Sequence, residues 1–254
     1  MKFFESHAHL YFDDYDKDRE ELIEQLSSSE IEGILNAGVD LKTSEKCIEL
    51  AERYRQVYAA CGFHPNDTAL HKISDVEALK SLIQHEKVVA VGETGIDLYR
   101  DRAPLDLQKR FFIRQLEIAL ENDLPVIVHS RSAEEETTDI IDQVSNEYRG
   151  VFHCYAGGID TAYKLIEKGF YISFTGNITY RNNDREEVVR KIPLENILLE
   201  TDSPFLTPVP NRGKRNDPSN LRFIAQKIAE IKGISIEQVA SVTTLNSKKL
   251  FGIN

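Results

Sequence analysis

Lys2-Phe3-Phe4-Glu5-Ser6-His7-Ala8-His9 is a short apolar run that ends in a His-x-His pair. Side chains of a strand alternate between faces, so His7 and His9 point the same way, and two imidazoles on one face suit a metal ion. The same arrangement recurs in Val88-Val89-Ala90-Val91-Gly92-Glu93, Pro125-Val126-Ile127-Val128-His129, Gly150-Val151-Phe152-His153 and Asn196-Ile197-Leu198-Leu199-Glu200-Thr201-Asp202. Each run closes on a residue type that binds metals. Apolar runs buried on both faces belong to parallel strands.

Three further runs, 33–37, 57–62 and 170–174, complete a set of eight strands. Between them the apolar spacing turns helical, near residues 17–29, 43–54, 74–86, 105–122, 132–145, 159–168 and 184–191, with another helix at 219–231 after the last strand. Ser74 with Glu77, Ser132 with Glu135, and Ser235 with Gln238 have the spacing of capping boxes, in which Ser accepts from the third helical amide and the acid or amide returns the bond. Gly169 and Gly233 stand where helices should stop, since Gly tolerates the left-handed conformation there. Eight alternating strands and helices define an α/β chain with the (β/α)8 TIM-barrel architecture, and 235–250 reads as an extra C-terminal helix. A barrel of this kind draws its catalytic groups from the C-terminal ends of different strands, where these candidates sit. A doubly wound open sheet would not gather groups from strands one, four, five, six and eight around one point.

A chain of 254 residues matches one such barrel, so residues 1–254 are expected to form a single domain. Hydrophobic residues make up 41% and charged residues 29%, the balance of a globular protein that buries a sizeable core, and this excludes a disordered chain. The polar opening residues already belong to a strand and no apolar stretch reaches the ~20 residues of a membrane span, so a cytoplasmic protein with no membrane contact is expected. Cys47, Cys61 and Cys154 are an odd number without CxxC spacing, which argues against disulfides and a structural zinc cluster. A formal net charge of -11 weakens any case for general electrostatic binding of nucleic acid. A metal centre escapes that objection by supplying its own positive charge.

The motifs Ser6-His7-Ala8-His9-Leu10, Gly62-Phe63-His64-Pro65, Gly92-Glu93-Thr94-Gly95-Ile96-Asp97, Val128-His129-Ser130-Arg131, Phe152-His153-Cys154 and Glu200-Thr201-Asp202-Ser203-Pro204 together resemble those of the TatD-like metal-dependent deoxyribonucleases, within the larger superfamily of metal-dependent barrel hydrolases. The resemblance runs end to end. It implies that His7, His9, Glu93 and Asp202 bind one divalent ion and that Glu93, His129 and His153 bind a second, with Glu93 bridging. Mixed imidazole and carboxylate donors suit zinc, manganese or, less well, magnesium. Many related hydrolases bridge their metals with a carboxylated lysine, whereas this chain has an unmodified Glu. The family typically carries Asp two residues before the first His; here Glu5 stands there and is left out of the metal shell.

Two metals about 3.5–4 Å apart can stabilise both the entering and the leaving oxygen of a phosphodiester attacked in line by water. Glu93 and Asp202 are therefore the catalytic candidates, with Asp202 also accepting the nucleophile's proton. The resemblance places His64 on the scissile phosphate. Arg131, able to grip two phosphate oxygens, and the loop 211–216 with Arg212 and Lys214 are backbone-binding candidates, and Tyr99 is a base-stacking candidate. The less favoured reading of the loop is a solvated surface, and the structural alternative for Tyr99 is core or rim packing. His71 and His85 fall in polar segments and stay outside the site. For His7 and His9, spacing alone also fits hydrogen-bonded strand histidines, but the four later candidates favour ligands.

The expected activity is hydrolysis of DNA by a monomer, as an exonuclease, because a barrel mouth encloses a single-stranded end more naturally than a long duplex. The alternative is a binuclear hydrolase of a small ester, amide or phosphoester, which the acidic charge favours. A scaffold that has lost catalysis would have shed ligands, and all six are present.

Overall fold

The computed structural model describes residues 1–145, 147–181 and 183–253. Eight strands form one parallel sheet in the order of the chain: β1 Phe3–Ala8, β2 Ile31–Ala37, β3 Val57–Cys61, β4 Val88–Asp97, β5 Val126–Arg131, β6 Gly150–Phe152, β7 Phe170–Phe174 and β8 Ile197–Leu199. The helices between and after them are α1 Arg19–Ser27, α2 Leu41–Arg53, α3 Leu79–Leu82, α4 Leu105–Glu121, α5 Glu134–Val144, α6 Ile159–Glu167, α7 Glu186–Lys191, α8 Leu221–Lys232 and α9 Ile236–Phe251. Among the described residues, no helix is long and apolar enough to cross a membrane.

The seam between β8 and β1 is closed by a different kind of contact from the other ladders. Ala8 and Ser203 form an isolated parallel bridge, and the His9 amide donates to the Ser203 carbonyl at 2.9 Å. Below it, the Glu5 carboxylate accepts from the His7 amide, the Thr201 amide and the Thr201 hydroxyl. Glu5 is thus a fully buried stitch across the seam, which is why it lies outside the ligand cluster. Burial drives its carboxyl well above the ordinary range, against the pull of the Thr201 bonds.

Strand pleat sorts the apolar side chains into two layers. Phe4, Leu35, Ala60, Ile127, Val151 and Leu198 fill the barrel interior, closed at one end by Leu250 and Phe251 of α9. Their neighbours Phe3, Ile34, Ala59, Val126, Phe152 and Ile197 turn outward against the helices. The extra helix therefore plugs the barrel rather than merely lying on it. Its start carries the expected capping box, with Ser235 accepting from the Gln238 amide at 3.2 Å and Gln238 accepting from the Ser235 amide at 3.1 Å.

The other two expected boxes do not form. Residues 73–78 wind as a 3-10 helix in which Asp75, not Glu77, accepts from the Lys72 amide, while Glu77 turns outward to Arg114. Ser132 adopts a positive φ of 54° and α5 begins after Ala133 without a side-chain cap. Gly169 and Gly233 do take positive φ, 90° and 68°, at their helix ends.

Candidate metal centre

The upper ends of β1 and β4 depart from simple alternation. In β1, Phe4 faces the interior and a regular pleat would turn His7 away, but the ladder to β2 slips between Glu5 and Ala8. In β4, the ladder to β5 slips between Val91 and Thr94, around Gly92 with its φ of 146°. Such bulges re-aim side chains at barrel rims. Glu93 is consequently not the last residue of its strand, as the apolar run had indicated; β4 resumes and continues to Asp97. Gly95, at φ 140°, runs so close to β5 that a Cβ there would lie 2.0 Å from the His129 carbonyl oxygen. That close approach packs β4 against β5 beside Glu93 and His129.

All six expected ligands converge at the C-terminal mouth, and the two oxygens of Glu93 divide them. Glu93 Oε2 lies 3.3 Å from His7 Nε2 and 3.7 Å from His9 Nε2, and those two nitrogens lie 3.8 and 3.4 Å from Asp202 Oδ1. Glu93 Oε1 lies 2.9 Å from His129 Nδ1 and 2.8 Å from His153 Nε2. His7 and His9 present their Nε2 atoms to each other at 3.1 Å, as His129 Nδ1 and His153 Nε2 do at 3.0 Å.

His9 Nδ1 lies 2.8 Å from the Ala37 carbonyl, which can only accept, so a neutral His9 carries its proton there and aims a lone pair at two carboxylate oxygens. Where Nε2 is unprotonated, these lone pairs converge on one point that a cation would occupy. With metal–donor distances of about 2.1 Å, adjacent ligands stand about 3.0–3.4 Å apart, and the donor separations here, from 2.8 to 3.8 Å, bracket that spacing. The buried donor set therefore fits divalent ions. His64 differs: its Nδ1 accepts from the Asn66 amide, so the Nε2 that lies 3.3 Å from Glu93 Oε1 carries the hydrogen and is a donor.

Burial and mutual charge perturb every member of the cluster. Burial works against an ionised Glu93, but His153, His64 and His7 outweigh it and hold the carboxyl well below its ordinary range. Asp202 is likewise depressed despite burial, chiefly through its bond to His9. Burial lowers His7 to about 4, whereas Glu93 overcomes burial at His153 and lifts it to about 9. Metal binding at such imidazoles displaces protons.

The mouth opens into a cleft of about 680 Å³. Arg100, Arg102, Arg131 and Arg185 line it together with the apolar Phe12, Phe205 and Leu206. Tyr99 does not face the cleft wall; it is exposed and supports Arg131, whose guanidinium carbon sits 3.9 Å from its ring centroid. Arg212 and Lys214 also do not line the cleft. Arg212 packs on Tyr180, and the neighbouring Arg215 is held by Asp18 and Tyr15. Sequence reasoning missed Arg100, Arg102 and Arg185, which no motif distinguishes from surface cations. It also missed a role for Asp97 and Glu200, although both lie inside quoted motifs; Glu200 is buried, and its Oε2, like His7 Nδ1 and His153 Nδ1, lacks a partner among the described residues.

The model of the TatD-related DNases matches residues 4–252. The chain belongs to this family. TatD-family relatives align along nearly their whole length: a metal-dependent hydrolase of Bacillus subtilis is 43% identical, covering 99% of both chains. The 3'-5' ssDNA/RNA exonuclease TatD of Shigella flexneri is 32% identical, covering 98% of this chain and 99% of that one. The crystal structure of a TatD homologue from Escherichia coli superposes with a TM-score of 0.92 at 28% identity, covering 99% of this chain and 98% of the other. The protein is a TatD-family metal-dependent hydrolase with a TIM-barrel fold.

Proposed function

We propose that this TatD-family protein is a two-metal phosphodiesterase that removes nucleotides from the end of single-stranded DNA. One observation carries the reading: the Glu93 oxygens are shared between two donor clusters, Oε2 with His7, His9 and Asp202, and Oε1 with His129 and His153. A single metal would leave one cluster without purpose. Bound divalent ions supply the positive charge that acidifies a water and offsets the phosphate. Asp202, partly open to the cleft, takes the proton of the attacking water, and His64 Nε2–H donates to a phosphate oxygen.

Substrate binding rests on the two sides of the cleft. Arg100, Arg102 and Arg131 hold phosphates of the strand, Arg185 being engaged by Asp184 and the Tyr155 carbonyl, and the exposed Phe205 with Phe12 offers an apolar wall to a base. These local cations answer the objection raised by the acidic net charge. Arg212 and Lys214, on the loop after β8, meet nucleotides beyond the cleft. The exonuclease name of the Shigella flexneri relative supports the same class of substrate.

The test is hydrolysis of end-labelled single-stranded DNA with added magnesium, manganese or zinc. Stepwise shortening that Glu93→Ala abolishes, and that Asp202→Asn slows by about 10²-fold or more while folding is kept, is the expected result. Intact DNA under all three metals overturns the proposal, and turnover of small esters or amides by the same preparation would replace it.

A further inference from the structure

Asp97, at the end of β4, is buried and bonded through both oxygens. Its Oδ2 accepts from Asn66 Nδ2 at 2.9 Å and lies 3.2 Å from His129 Nε2. Its Oδ1 accepts from the amides of Tyr99 and Arg100, each at 2.9 Å. Gln108 holds the backbone on either side, accepting from the Asp97 amide and donating to its carbonyl. The carboxylate is thus fixed in place before it touches the histidine.

An ionised carboxylate only accepts hydrogen bonds, so the ring nitrogen that faces it carries hydrogen. Asp97 already accepts from the Tyr99 and Arg100 amides and from Asn66 Nδ2, the bonding of a carboxylate that has only acceptors to offer the ring. In a neutral His129 the lone pair then belongs to Nδ1, the atom beside Glu93 Oε1 and His153 Nε2. Histidine ligands commonly owe their orientation to such an acceptor behind the ring.

We infer that Asp97 is a positioning residue that holds His129 as the Nε2–H tautomer while anchoring the loop that carries Arg100, so that one carboxylate sets both a metal donor and the cationic rim. The inference deepens the metal-centre reading above and rests on it. His9 supplies a contrast within the same site, because its Nδ1 faces the backbone carbonyl of Ala37, which does not depend on Asp97. An amide at position 97 offers one acceptor and one donor where the site asks for two acceptors. Turned toward His129, its NH2 demands the lone pair on Nε2 and moves the proton onto Nδ1; turned toward Tyr99 and Arg100, it meets two N–H groups.

The experiment uses the full-length chain and Asp97→Asn, with zinc or manganese binding measured by chelator competition. The ring tautomers are read by nitrogen-15 NMR on metal-free protein at a pH where the rings are neutral. Expected are a fall of about 10–100-fold in affinity at one position and not the other, and a proton shift to Nδ1 of His129 with His9 unchanged. Unchanged affinity at both positions overturns the inference. So does a wild-type His129 with its lone pair on Nε2, a result that needs no variant to fold. Failure of wild-type protein to bind any metal refutes the metal-centre reading instead, while the wild-type tautomer still tests Asp97.

Discussion

Replacing Glu93 by Gln removes the charge that both halves of the donor cluster face, and its effect on the metal-free protein can be worked from His153. Glu93 Oε1 lies 2.8 Å from His153 Nε2, both side chains are buried, and the pairing lifts His153 from 6.5 to about 9. A histidine raised in the folded state contributes stability that is fully present below pH 6.5 and is lost as pH rises through about 9. At about 1.36 kcal/mol per pH unit, that contribution is about 3 kcal/mol. The depressed Glu93 carboxyl is the same interaction seen from the other partner and is not added. Urea denaturation of wild type and Glu93→Gln in excess chelator, at pH 6, 7.5 and 9.5, measures it. Wild type should lose about 3 kcal/mol relative to the variant across this range. Manganese or zinc should then stabilise wild type at pH 7.5 far more than the variant, since binding to the native state alone adds stability. Profiles that run parallel from pH 6 to 9.5 refute the reasoning.

Gly95→Ala should lower stability by about 3 kcal/mol or more, because the new Cβ meets the His129 carbonyl in a backbone conformation unsuited to L side chains; calorimetry reads this as a fall of at least about 6 °C in Tm. Arg131→Ala should reduce the salt slope of single-stranded DNA binding by about 0.7, one phosphate contact, whereas Arg215→Ala should leave it unchanged because Asp18 already holds that guanidinium. Ser235→Ala should cost about 1 kcal/mol in chemical denaturation and leave turnover intact, since the cap lies on α9 at the closed end of the barrel.

Much of the architecture is legible from local patterns. The eight apolar runs become the eight strands in chain order, and Ser235, Gly169 and Gly233 mark helix ends because caps and positive-φ stops depend on a few adjacent residues. The failures come from partners distant in the sequence. Ser74 has capping-box spacing, but Glu77 is drawn to Arg114 of α4, a partner 37 residues away in sequence. The spacing of Arg212, Lys214 and Arg215 shows a basic loop without showing that Arg215 is engaged by α1's flank at Asp18.

The sequence by itself determined the residue types of the centre, their order along the chain and the barrel that brings strand ends together. Periodicity and chemistry are carried by neighbouring residues, so a linear reading recovers them. Only the tertiary structure decided how Glu93 divides its oxygens, because the slips in β1 and β4 turn His7 and Glu93 inward against the simple alternation of the pleat. It alone decided which nitrogen of each histidine is free. That depends on the acceptor behind the ring, Ala37 for His9 and Asp97 for His129, and those acceptors stand on different strands from the rings they orient.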